Sequence, residues 1–133
     1  MNRRIAPSLI QTYTSFMPNN DPINIAQRAV EIASDMQATN IVLLDIKDIA
    51  SFADYFVVLS ADNMRQINAL VDDINLQLKK EGINIGHKEG TPESGWVLLD
   101  YGNVLIHIFS PVEREYYRLE ELWNEATPLV QVQ

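Results

Sequence analysis

Residues 95–109 read Gly-Trp-Val-Leu-Leu-Asp-Tyr-Gly-Asn-Val-Leu-Ile-His-Ile-Phe. Two runs rich in β-prone residues flank a Gly-Asn pair, a pattern typical of a tight β-hairpin. If Gly102 and Asn103 form the loop, Leu99 lies opposite Ile106 and one face of the hairpin is almost wholly apolar. The opposite face carries Trp96, Leu98, Asp100, Leu105, His107 and Phe109. Because it mixes tryptophan, aspartate and histidine, this second face is where we first expect function.

The length and composition of the chain indicate one folded domain. Its 133 residues are enough for a hydrophobic core, and 47% of them are hydrophobic, which excludes an intrinsically disordered protein. No apolar run approaches the roughly 20 residues that cross a bilayer. Arg3 and Arg4 precede a polar stretch rather than the apolar core of a secretory signal, so we expect no membrane partner. The chain contains no cysteine, which excludes disulfides and thiolate metal sites.

The chain is acidic, with a formal net charge of −8. Phosphate binding depends on lysine and arginine, so the overall charge disfavours nucleic acid, and we expect no direct sequence-specific contact with it. The charge suits a basic partner, and ribosomal proteins, histones and polyamines are such partners. Negative charge that only maintains solubility is the alternative.

Outside the hairpin, hydrophobic periodicity predicts three helices and three further strands. The helices are expected over residues 22–37, over residues 63–81 and from residue 111 onwards, and the strands over residues 41–46, 55–60 and 83–89. The order α-β-β-α-β-β-β-α predicts an α/β single domain with a mixed five-stranded sheet flanked by helices. Residues 1–21 are expected to form a flexible N-terminal tail, residues 22–124 the folded domain and residues 125–133 a C-terminal tail.

Local signals mark the ends of these helices. Asp21 is the predicted N-cap of the first helix, with Pro22 in its first turn. Asp62 or Asn63 is the predicted cap of the second helix, and Gly82 is its C-terminal stop.

The sequence contains no complete catalytic motif. Glycine-rich phosphate loops and the G-x-S-x-G motif of serine hydrolases are absent. Two-metal nucleotidyl transfer needs converging acidic residues, yet Asp100 stands alone on its strand, and Asp72 and Asp73 point apart on a helix. His107 lies diagonal to Asp100, so an acid/base pair is one interpretation, and a polar patch on a half-exposed sheet is the favoured one. His87 and His107 do not have metal-ligand spacing, and we expect no metal and no cofactor.

Several motifs follow one another in order along residues 22–123. The most specific are W-V-L-L-D-Y-G at residues 96–102 and P-x-E-R-x-x-Y-x-L-E-x-L-W at residues 111–123. The other matching segments are Ala53-Asp54-Tyr55-Phe56-Val57-Val58, Arg65-Gln66, Glu89-Gly90 and His107-Ile108-Phe109. Together they resemble the ribosomal silencing factor family, which is also called Iojap-like.

The resemblance implies a fold with nucleotidyltransferase-like topology but no enzymatic activity. It also implies binding to the large ribosomal subunit through its ribosomal protein fourteen, which blocks joining of the small subunit and represses translation. A homodimer is implied as well, with a cytoplasmic location, or an organellar one if the host is eukaryotic. Two alternatives stay open: a large-subunit assembly factor and a nucleotidyltransferase-like nucleotide-binding protein.

The resemblance also points to residues that would bind the ribosomal protein. Three of them lie on the mixed face of the hairpin, namely Trp96, Asp100 and His107, and Glu89 belongs to a separate motif. The remaining candidates match other motif positions: Tyr101, Asp54, Tyr55, Arg114 and Tyr117. For Arg114 the alternative is an internal ion pair with one of three carboxylates: Glu113, Glu115 or Asp100.

Overall fold

The structure is a computed structural model that describes residues 21–133, so nearly all of the predicted N-terminal tail lies outside the described residues. The elements in this range are α1 (Pro22–Asp35), β1 (Thr39–Asp45), β2 (Tyr55–Ser60), α2 (Met64–Lys80), β3 (His87–Thr91), a 3₁₀ turn (Pro92–Ser94), β4 (Trp96–Asp100), β5 (Val104–Phe109), α3 (Pro111–Tyr117), α4 (Leu119–Leu122) and β6 (Thr127–Val132).

The strands form one mixed sheet in the order β3-β4-β5-β2-β1-β6. β2 runs parallel to β5, and the other neighbouring pairs are antiparallel. The prediction of an α/β single domain with a mixed sheet is confirmed, but the count of five strands is wrong. Residues 127–132, expected in a C-terminal tail, pair with the open edge of β1 and add the sixth strand. The nucleotidyltransferase-like topology stays a prediction.

Helices α1 and α2 cover one face of the sheet because each has an apolar stripe that points inwards. Asn63 caps α2: its side chain accepts a hydrogen bond from the Gln66 amide at 2.9 Å. Gly82 follows the end of α2 with a φ of +84°, as predicted for a stop. Asp21 precedes α1 as predicted, but its side chain makes no capping hydrogen bond, and its backbone carbonyl accepts from the first turn instead.

The predicted register of the hairpin is confirmed. Leu99 pairs with Ile106. Around the loop at residues 102–103, the Tyr101 amide donates to the Val104 carbonyl at 2.9 Å. The face that the alternation predicts to be apolar lies under α1 and α2, and its side chains are buried: Val97, Leu99, Tyr101, Val104, Ile106 and Ile108. The mixed face therefore points to the other side of the sheet.

The predicted last helix is broken into two pieces, α3 and α4. Arg118 separates them with a left-handed backbone, at a φ of +49°. Such a conformation costs a non-glycine residue roughly 1–2 kcal/mol, so side-chain packing has to favour the break. The change of direction lets Leu119 and Trp123 pack against the sheet face opposite α1 and α2, where they join a second, smaller core.

Candidate interaction site

Aromatic rings run in continuous contact across the sheet face opposite α1 and α2. Neighbouring ring centroids along this path lie 4.5 to 5.9 Å apart. We call this path the aromatic row, and in spatial order it consists of Phe52, Trp123, Phe56, His107, Trp96, Tyr117 and Tyr116. The loop after β1, three strands, α3 and the residue that follows α4 contribute to it, so the row exists only in the folded chain.

The two ends of the aromatic row are exposed, and its middle is buried. Phe52 is 56% exposed and Tyr116 is 76% exposed, whereas His107 is 5% exposed. Val112 and Leu122 on the C-terminal helices are also exposed. We call these four exposed side chains the aromatic surface: Phe52, Val112, Tyr116 and Leu122. Val112 lies four residues before Tyr116 in α3, and Leu122 directly precedes Trp123 of the row. Exposed apolar patches are typical of interaction sites.

His107 occupies the middle of the row as a neutral imidazole. Trp96 Nε1 donates a hydrogen bond to His107 Nδ1 at 3.2 Å, which leaves the ring proton on Nε2. Nε2 is buried and has no hydrogen-bond partner within the described part of the chain. Burial lowers the pKa of His107 to about 4. The half-exposed polar patch expected from the sequence is absent at this position, because Phe56, Trp96 and Phe109 pack around the imidazole.

Asp100 and His107 have different partners. Asp100 Oδ1 accepts a hydrogen bond from the Gly102 amide at 2.8 Å and so closes the hairpin loop. This geometry supports a structural role for Asp100 and gives no support to an acid/base pair. Asp100 stays half-buried, beside the aromatic row.

Tyr55 and Tyr101 are buried in the core under α1 and α2, not on the side of the aromatic row. The Tyr101 hydroxyl donates to Asn75 Oδ1 on α2, and burial raises the pKa of Tyr101 to about 12. The Tyr55 hydroxyl accepts from Lys47 Nζ at 2.8 Å. Both tyrosines therefore stabilise the core and are not exposed to a partner, whereas Asp54 lies half-buried in the loop that carries the exposed end of the row.

Arg114 makes an internal ion pair, but with a carboxylate other than the three considered from the sequence. Its Nε donates to Glu120 Oε2 at 2.8 Å, and its Nη1 donates to Ser60 Oγ at 2.9 Å. The side chain of Arg114 is 12% exposed. Because Glu120 belongs to α4 and the buried Ser60 ends β2, this guanidinium ties both C-terminal helices to the sheet.

Replacing Arg114 by alanine is expected to destabilise the protein by about 2 kcal/mol, because Ser60 and Glu120 would lose a largely buried donor. Urea denaturation measures the free energy of unfolding. The matched control is Arg118→Ala, which removes an exposed arginine that pairs with glutamates at the surface and should change stability little. Equal losses in the two variants would show that Arg114 does not tie the helices to the sheet.

Glu89 lies on the edge of the sheet next to the aromatic row. It is on the exposed strand β3, opposite Leu98 of β4. A cavity of about 200 Å³ lies beside it and is lined by Glu89, Gly90, Ser94, Trp96 and Leu98. The structure therefore places Glu89 beside Trp96, which in turn contacts two further predicted site residues, His107 and Tyr117.

None of the four side chains of the aromatic surface was among the predicted site residues. Val112 and Tyr116 lie four residues apart in a predicted helix and so share one of its faces, which was the available signal. Phe52 has no comparable signal, because its contact with Trp123 joins positions far apart along the chain.

Within residues 21–133, no group of three His, Asp or Glu side chains is arranged to hold a metal ion. In the same range, no helix is long and apolar enough to cross a membrane. The described residues instead present exposed aromatic side chains next to carboxylates.

Comparisons with known proteins agree on one family. Residues 19–133 match the family model described as ribosomal silencing factor during starvation. The chain is similar to a protein named ribosomal silencing factor from Halalkalibacterium halodurans, with 34% identity over 88% of this chain and 97% of that protein. It is 37% identical to a protein of the same name from Bacillus subtilis, over 77% of this chain and 87% of that protein. A crystal structure of a Chromobacterium violaceum protein superposes with a TM-score of 0.75 at 33% identity, over 78% of this chain and 87% of that one.

Proposed function

Because this chain belongs to the ribosomal silencing factor family, we propose that it binds the large ribosomal subunit and blocks joining of the small subunit. The partner within the large subunit is its ribosomal protein fourteen, and the contact is made by the aromatic surface and its surroundings. The factor represses translation by occupying this site, without catalysing a reaction.

The observation that supports this proposal is an exposed aromatic surface in an acidic setting. Aromatic residues are the most frequent anchors of protein interfaces. Residues 111–125 carry five glutamates and two arginines, and both arginines already pair with glutamates. All 18 acidic residues of the chain lie in the described range, whereas Arg3 and Arg4 lie outside it. A basic ribosomal protein would complement such a surface.

The predicted site residues divide into two groups in this proposal. Those with accessible side chains would touch the partner: Glu89, Trp96, Asp100, Tyr117 and Asp54. Those that are buried or paired internally would hold the surface in shape: His107, Tyr55, Tyr101 and Arg114. The exposed side chains of the aromatic surface join the first group.

The protein is expected to cosediment with purified large subunits at low salt, and less of it should cosediment as salt rises. Screening explains the second expectation, since the Debye length falls from about 10 Å at 0.1 M to about 3 Å at 1 M ionic strength. Sucrose gradients measure the bound fraction, and light scattering measures whether the bound factor prevents subunit joining. A protein that stays at the top of the gradient even at low salt would overturn the proposal.

The position of the contact is tested by a double variant, Phe52→Ala with Tyr116→Ala. We expect it to weaken binding to large subunits at least about tenfold, because both ends of the aromatic row are removed. The matched control is Leu76→Ala, which removes an apolar side chain of similar exposure from α2, on the opposite side of the sheet. If this control weakens binding as much as the double variant does, the contact lies elsewhere.

A further inference from the structure

We propose, resting on the function proposed above, that the cavity beside β3 and β4 takes an arginine side chain of the basic partner. The cavity measures about 200 Å³ and opens next to the middle of the aromatic row. Its lining combines one carboxylate, one indole and one leucine: Glu89, Trp96 and Leu98. This combination matches the three parts of an arginine, which are its charge, its planar guanidinium and its apolar stem.

Glu89 supplies the charge that a guanidinium needs. Its Oε2 lies 2.9 Å from His87 Nε2, and this contact leaves Oε1 for a guest. The side chain of Glu89 is 63% exposed, so a partner can reach it. No basic side chain belongs to the lining of the cavity, and the neighbouring Lys88 points to the other face of the strand. The negative charge at this site is therefore available to an incoming cation.

Trp96 and Leu98 favour arginine over lysine as the guest. A guanidinium can pack against an indole while it donates to a carboxylate, whereas the compact ammonium of lysine gains less from the flat ring. The apolar stem of arginine would pack on Leu98. The Ser94 hydroxyl is already used within the turn, because its Oγ donates to the Thr91 carbonyl at 2.8 Å and accepts from the amides of Thr91 and Trp96.

The backbone around the cavity is held in place before any guest arrives. Thr91 and Ser94 form a reciprocal capping box at the 3₁₀ turn. Gly90 has a φ of +83°, and β3 and β4 approach so closely there that a Cβ at Gly90 would lie 2.1 Å from the Trp96 carbonyl oxygen. A cavity of fixed shape loses little conformational entropy when it is filled, which favours binding.

The chemistry of the guest can be tested without ribosomes. We expect N-acetyl-arginine amide to shift the backbone amide resonances of Glu89, Gly90, Ser94 and Trp96 in NMR spectra of the full chain. The uncharged N-acetyl-norleucine amide should not shift them, and neither should the arginine amide in the Glu89→Gln variant. If the arginine amide leaves these resonances in place, or if the norleucine amide shifts them equally, the inference is wrong.

The same variant is then tested on purified large subunits. Glu89→Gln is expected to weaken binding at least about fivefold, while Glu93→Gln, an exposed neighbour outside the cavity, should weaken it less than about twofold. If the wild type binds and both variants bind equally well, the arginine site is overturned and the proposed function stands. If the wild type does not bind large subunits but the arginine amide shifts the cavity resonances, the proposed function fails and the arginine site stands.

Discussion

Replacing Gly90 by alanine is expected to destabilise the protein by about 3 kcal/mol and to detach β3 from β4. A Cβ at this position would lie 2.1 Å from the Trp96 carbonyl oxygen. The carbonyl oxygen belongs to the backbone and the backbone fixes the position of a Cβ, so neither atom can rotate away. The clash adds to the cost of a left-handed backbone, since Gly90 has a φ of +83°. Urea denaturation measures the loss of stability, and amide hydrogen exchange shows whether β3 opens.

Gly102→Ala is the matched control for this prediction. Gly102 has nearly the same backbone, with a φ of +88°, but nothing lies within 4 Å of a Cβ there. Only the backbone cost of roughly 1 kcal/mol should remain, and β3 should stay protected from exchange. If Gly90→Ala and Gly102→Ala lower the free energy of unfolding equally, the backbones at Gly90 and Trp96 do not approach each other closely enough to exclude a Cβ.

The stability of the protein is expected to fall by roughly 2 kcal/mol between about pH 7.5 and about pH 5 through His107 alone. Burial lowers the pKa of His107 from its usual 6.5 to about 4. Above the usual value the imidazole is neutral in both the folded and the unfolded chain, so its full contribution to stability is present. As the pH falls towards the folded pKa, the unfolded chain takes up a proton that the folded chain does not. Stability is therefore lost on acidification.

The experiment compares urea denaturation of the wild type and His107→Phe at both pH values. Between these pH values the free energy of unfolding of His107→Phe should fall by roughly 2 kcal/mol less than that of the wild type. Losses that come from protonation of carboxylates are common to both proteins. Trp96→Phe is the control, because it removes the hydrogen bond to Nδ1 but keeps the buried imidazole, and its pH dependence should match that of the wild type. An unchanged pH dependence in His107→Phe would mean that burial does not lower the pKa of His107 in the folded protein.

Local signals predicted much of the fold. The two-residue Gly-Asn loop predicted the hairpin in its observed register, which puts Asp100 and His107 on one face and leaves the other face apolar. Asn63 and Gly82 predicted the ends of α2. The Asn63 side chain caps a backbone amide of the first turn, and Gly82 adopts the positive φ that follows the last turn. Such signals depend only on neighbouring residues, which is why they can be read without the fold.

Three features of the fold could not be predicted from the sequence, because they depend on contacts between distant parts of the chain. Residues 127–132 contain Pro128 and form a strand only because β1 has an open edge to pair with. The break at Arg118 follows from packing of the segment after it, not from its own backbone preference. The partner of Arg114 proved to be Glu120 because the break turns α4 back towards the sheet.

The amino-acid sequence by itself determined the α/β class, the two faces of the hairpin and the family to which the chain is similar, because periodicity, turn residues and motifs are local properties. Tertiary structure alone decided what the mixed hairpin face does. It buried His107 among aromatic rings, closed the loop with Asp100 and left Phe52 and Tyr116 exposed. The physical reason is that exposure depends on which segments cover a face, and the covering segments here lie far from the hairpin in sequence or follow a break in the last helix.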